Sequence, residues 1–113
     1  MAKATIQLES IKCYRTEDTT GRDEVYIRVD GAKVWGPWSM NDGDEEPLEG
    51  VVPPREFEGE IPIEVWDQDQ GWGDDDDLIE TKYVSSSGAM ENTLYFNGDG
   101  ASYRLSVRME RTG

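Results

Sequence analysis

The side chains able to do chemistry in this chain are mostly carboxylates, and they are not evenly spread. Of 25 Asp and Glu residues, fifteen fall in three short segments: Glu17, Asp18, Asp23 and Glu24 in 15–24; Asp42, Asp44, Glu45, Glu46 and Glu49 in 41–50; Asp67, Asp69 and Asp74 to Asp77 in 67–77. Carboxylates a few ångströms apart repel one another by kilocalories unless a cation neutralises them. If these segments converge, a cation site is the natural outcome. With no histidine and a single cysteine in the chain, the ligands on offer are hard oxygens. These suit Ca²⁺, which takes about six to eight of them at flexible distances, and not Zn²⁺ or copper.

Missing residue types exclude other chemistry. Without histidine there is no Ser-His-Asp or Cys-His arrangement and no histidine-ligated metal. Paired carboxylates serve glycosidases as acid and base, but a chain of 113 residues leaves little room for a substrate cleft. The sequence is therefore read as that of a non-enzymatic protein. Cys13 has no partner for an internal disulfide and lies in an apolar stretch, as a buried, inert thiol would. The net charge of -14 repels phosphate backbones and argues against direct nucleic-acid binding. No window approaches the length of a transmembrane helix, which predicts a soluble chain. A signal peptide already removed would leave no trace, so secretion stays open.

The elements that must position the carboxylates are strands. No window of a dozen residues keeps apolar positions at helical spacing, and Gly or Pro interrupts almost every stretch. Strands are expected at 4–14, 24–30, 32–38, 51–58, 60–66, 78–84, 92–97 and 102–109. In the first, Ala4, Ile6 and Leu8 share one parity and Ile11 and Cys13 the other, predicting a bulge near Glu9–Ser10. In the second, Val25, Ile27 and Val29 face inward and Tyr26, Arg28 and Asp30 outward. Asp30-Gly31 reads as a two-residue hairpin turn and Asn97-Gly98-Asp99-Gly100 as the turn before the last strand. Residues 39–50 read as a long polar loop. Pro53 and Pro54 mark an edge segment, and Pro62 an edge or bulge. The whole is an all-β, eight-stranded antiparallel β-sandwich of Greek-key type, one domain over residues 1–113.

Counting chain reversals then sorts the connections. Those after the first, third, fifth and seventh strands lie at one end, and they include all three acidic segments and Asp99. The other end carries Asp30-Gly31, Glu58-Gly59-Glu60 and the nearly neutral 85–90. One pole is strongly anionic.

The run Val65-Trp66-Asp67-Gln68-Asp69-Gln70-Gly71-Trp72-Gly73-Asp74-Asp75-Asp76-Asp77-Leu78-Ile79 resembles the third calcium loop of C2 domains, the calcium- and phospholipid-binding sandwich modules of protein kinase C and synaptotagmin. The resemblance puts Asp67, Asp69 and Asp77 at the Asp positions if the tip is two residues longer; Asp75 keeps the family's usual spacing instead. Glu80 stands where the family has Gly. Asp18 and Asp23 match the first calcium loop, with the family's proline missing before the strand and one residue inserted. The strand order fits the permuted variant of the fold. The blocks 16–21, 33–37 and 38–43 are similar to small bacterial proteins of unassigned role.

The resemblance implies Ca²⁺ held by Asp18, Asp23, Asp67, Asp69, Asp75 and Asp77, and a calcium-loaded pole that docks on a lipid, glycan or protein partner. The four lysines are scattered, so a basic patch for phosphoinositides is not implied. Trp72, between two glycines at the loop tip, either dips into such a partner or folds back over its own loop. Trp35, Trp38 and Trp66 read as core or sheet-face residues before a sugar platform. An EF-hand beginning at Asp67 fails at Gly71, Trp72 and Leu78. Two rival readings stand beside the calcium module: an acidic decoy imitating nucleic acid for a basic partner, and a calcium-stabilised carbohydrate-binding module.

Overall fold

The computed structural model describes residues 2–17, 21–68 and 76–112. Nine strands follow one another: β1 (Lys3–Arg15), β2 (Asp23–Val29), β3 (Ala32–Met40), β4 (Glu45–Pro47), β5 (Arg55–Glu58), β6 (Glu60–Asp67), β7 (Asp77–Ser85), β8 (Glu91–Gly98) and β9 (Ala101–Arg111). They form two antiparallel sheets, one ordered β4-β1-β9-β8 with β5 also on β1, the other β3-β2-β6-β7. The expected all-β sandwich is present, with one strand more than the eight expected. The addition is β4, inside the stretch read as a polar loop. Three residues are too few to show alternation, and β4 is held by its pairing with Ser10, Ile11 and Lys12 and by Leu48, which is fully buried just after it.

Alternation explains the core. Ala4, Ile6 and Leu8 point inward, the register of β1 on β9 shifts between Leu8 and Ser10, and Ile11 and Cys13 then take the inward positions. One inserted residue is what a switch of parity requires. Val25, Ile27, Val29, Ile63 and Val65 meet Leu105, Val107, Tyr103 and Phe96 from the other sheet, all buried. Asp30 and Gly31 both have positive φ, 51° and 82°, as a two-residue hairpin needs.

Two details differ from the sequence expectation. Tyr26 lies on the outer face of its sheet, as its parity demands, yet it is 1 % exposed. Its ring stacks on that of Trp66, directly across the strand pair, at 6.0 Å, with Lys33 Nζ 4.1 Å from the ring centre. An outward parity gave a covered residue because its neighbours are large. Pro62, expected at an edge or bulge, sits in the interior strand β6; its carbonyl accepts from Asp30 N at 2.9 Å, so its missing N–H faces the hairpin turn where β2 leaves the sheet.

The two sheets meet along the β7–β8 side. A Cβ on Gly98 would lie 1.9 Å from the Ile79 carbonyl oxygen, so glycine alone permits this approach. Glu80 accepts from Asn97 N at 2.8 Å across the same seam. On the other side, β3 and β4 are the facing edge strands. The strand directions place the ends of β1, β3, β6 and β8 together with the starts of β2, β4, β7 and β9, and the three acidic connections leave from that pole.

Candidate metal centre

The pole is built on a buried carboxylate. Asp23, at the first position of β2, is fully buried. Its oxygens accept Glu17 N at 3.1 and 2.9 Å and the hydroxyl of Tyr103. The bond ties the end of β1 to the start of β2, and burial together with Asp23 pushes the Tyr103 phenol up, so it stays a donor. The neighbouring Cys13 thiol is pushed up to about 11, first by burial. That is the inert, buried cysteine expected.

Asp67 closes β6, 5 % exposed, and accepts Glu24 N at 2.8 Å; Gln68 N returns a bond to Glu24 O, also at 2.8 Å. Asp77 opens β7 directly opposite Asp67. The loop 41–44 props the first acidic segment: Asp42 Oδ1 accepts Thr16 N at 2.8 Å and Gly43 N donates to Cys13 O at 2.7 Å. Its Asp44 pairs with Arg22 at 2.9 Å. The rest of the middle segment runs away from the pole, where Glu45 pairs with Arg104 and Glu49 with Arg108.

What converges at the pole is Glu17, Asp77 and Asp99, whose nearest oxygens all lie within 4.8 Å of one another. They come from three connections, after β1, after β6 and between β8 and β9. Glu17 bears the cost. Burial comes first, then a hydrogen bond with Asp77 and the charges of Asp77, Asp67 and Asp23, and together they push its carboxyl up to about 8. Its Oε2 is buried without a hydrogen-bond partner among the described residues. Nearby, Asp76 accepts the Tyr26 hydroxyl at 2.6 Å, and that phenol is pushed up to about 12 by burial and then by this bond.

Of the six ligands implied by the resemblance, Asp23, Asp67 and Asp77 are thus at one pole, Asp23 with its oxygens already engaged. Asp18, Asp69 and Asp75, and Trp72, lie outside the described residues. Glu17 and Asp99 were not among the expected ligands. Reversal counting had put both at this end, but a pattern of aspartates passes over a glutamate and a hairpin turn.

The donor set fits a calcium ion. Oxygens bound at about 2.3–2.6 Å to one Ca²⁺ lie up to about 5 Å apart, and the three carboxylates fall inside that span. An orphaned buried carboxylate oxygen is the group a cation would satisfy.

No protein-family model matches the chain, and no curated protein does either. Solved structures do. A C2 domain shares 14 % identity, covering 97 % of this chain and 99 % of that one, with a TM-score of 0.59. The two-C2-domain structure of extended synaptotagmin 2 shares 19 %, covering 97 % of this chain and 40 % of that one, at 0.57. Human GIVD cytosolic phospholipase A2 shares 14 % at 0.56, with 99 % of this chain spanning 16 % of that one. The class is a C2-like β-sandwich, a likeness of fold at these identities. Among the described residues no helix is long and apolar enough to cross a membrane.

Proposed function

We propose that the chain is a non-enzymatic calcium-binding module. Its acidic pole takes Ca²⁺ through Glu17, Asp77 and Asp99, with Asp67 beside them and Asp18, Asp69 and Asp75 joining from the flanking segments. Asp23 positions the first loop through Glu17 N and Tyr103. The observation that carries the reading is the triple convergence at Glu17, with one oxygen buried and unsatisfied. A bound Ca²⁺ supplies the positive charge that this cluster lacks. The calcium-loaded pole then docks on an anionic lipid surface through Trp72. The C2-like fold supports both steps, and the reading includes the permuted strand order and a bacterial source.

Calorimetry tests the first step. Ca²⁺ should bind the wild type, and Asp77→Asn and Asp99→Asn should each weaken it at least about tenfold, one charge-assisted ligand being worth about 1.5–3 kcal/mol. Glu58→Gln at the opposite end should change little. No heat of binding in the wild type, or equal losses in all three variants, overturns the site.

A further inference from the structure

On the side away from the β7–β8 seam, a groove of about 630 Å³ runs between the edge strands of the two sheets. Its lining includes Arg22, Pro37, Trp38, Ser39, Asp44 and Glu46. Register fixes how the two main residues face. Trp38 lies opposite Val25, a core residue, so its indole is on the inward side of β3. Glu46 lies opposite Ile11, also a core residue, so its carboxylate is on the inward side of β4. At this edge, positions that elsewhere bury aliphatic side chains instead hold an indole, 50 % exposed, and a carboxylate.

The other charges here are already matched. Arg22 donates through Nε to Ser39 Oγ at 2.8 Å and pairs with Asp44 at 2.9 Å, a clasp from β3 to the residue before β4. Glu45, also in the lining, pairs with Arg104. The Glu46 carboxylate has neither hydrogen bond nor ion pair among the described residues. Trp35, 6.2 Å from Trp38 between ring centres, backs the indole.

We propose that this groove receives an arginine side chain from a basic segment of a partner protein, stacked on Trp38 and paired with Glu46. The occupant follows from charge and shape. An anion would meet Glu46 and a chain of net charge -14. A purely apolar group would strip water from the Glu46 carboxylate and leave it unpaired. A guanidinium does neither: its plane stacks on an aromatic face and its fork pairs with a carboxylate, where an ammonium offers a point charge. The acidic field of the whole molecule steers basic segments towards it. The groove needs no calcium.

The test uses the indole N–H signals of the four tryptophans in ¹⁵N NMR, with chelator present so that the acidic pole plays no part. The probes are N-acetyl-arginine-methylamide and the peptide Gly-Arg-Gly-Arg-Gly. Trp38→Ala identifies its own signal and, with Trp38 half exposed, keeps the dispersed backbone spectrum. The Trp38 signal should shift saturably with both probes, and less with the control peptide Gly-Lys-Gly-Lys-Gly. Glu46→Gln should weaken binding about fivefold, and Glu91→Gln, an equal charge change on the far edge strand β8, less than twofold. Equal losses at Glu46 and Glu91 would mean diffuse attraction and overturn the site. So would an absent or unsaturable shift. A response to the amide without the peptide, or to a neutral oligosaccharide in place of both, overturns the partner-protein assignment.

Discussion

Glu17 concentrates the strain of the acidic pole, and its titration should be visible in stability. Its carboxyl is raised from 4.5 to about 8, by burial first and by Asp77, Asp67 and Asp23 after it. In that window the folded chain holds a proton that the unfolded chain has released. Stability on this group's account is therefore full below about 4.5 and falls as pH rises through about 8. In chelator, the melting temperature should decline across this range, and Glu17→Gln should flatten the decline, read by circular dichroism. An unchanged slope in the variant would place the raised titration elsewhere. Tyr103 makes a second residue-scale prediction. Tyr103→Phe removes the hydroxyl donor to the fully buried Asp23, leaving a buried carboxylate short of a partner at a cost of about 1–3 kcal/mol. Urea unfolding should show that loss with an unchanged denaturant slope, and calcium affinity should fall with it because Asp23, which anchors Glu17 N, loses one of its own supports.

The seam and the groove are consequences of how the elements meet. Gly98→Ala should destabilise the fold by about 1–3 kcal/mol or more, since its Cβ would collide with the backbone of Ile79, and thermal melts against Gly43→Ala separate this from the left-handed strain of a turn. Gly43 has φ of 87° and open space around it. A larger loss at Gly43 than at Gly98 would reject the seam as the tighter constraint. The strands that alternate were legible in the sequence: the parity switch at Glu9–Ser10, the inward Val25, Ile27 and Val29, and the Asp30-Gly31 turn all arise from local rules. β4 was not, because its three residues are ordered by Lys12, Leu48 and Arg104 from elsewhere in the chain. Tyr26 was not, because parity states a direction and the covering Trp66 and Lys33 are set by register. The acidic pole was legible as a place, from counting reversals, while its members Glu17 and Asp99 depend on loop geometry that no spacing encodes.

At the scale of the whole molecule, the excess of fourteen negative charges decides what the pole can dock on. Each bound Ca²⁺ cancels two of them, so even two ions leave the chain strongly anionic, and it remains repelled by an anionic bilayer at long range. Attraction has to be local, within a Debye length of about 8 Å at physiological salt. Local attraction at the pole demands that the calcium-bearing loops themselves touch the headgroups, and that an apolar side chain there adds contact. Trp72 is the large apolar residue of 67–77, and an indole suits a bilayer interface because its ring is apolar and its N–H can stay hydrated. Co-sedimentation with phosphatidylserine vesicles should therefore capture the chain in millimolar Ca²⁺ and release it in chelator. Trp72→Ala should reduce the captured fraction severalfold without changing calcium affinity by calorimetry. Raising salt should weaken capture, since the electrostatic part is screened. A protein that binds calcium yet stays in the supernatant under every condition would end lipid docking and leave the calcium site standing; capture that persists in chelator would end the calcium dependence, because an uncompensated acidic pole has no electrostatic reason to approach an acidic membrane.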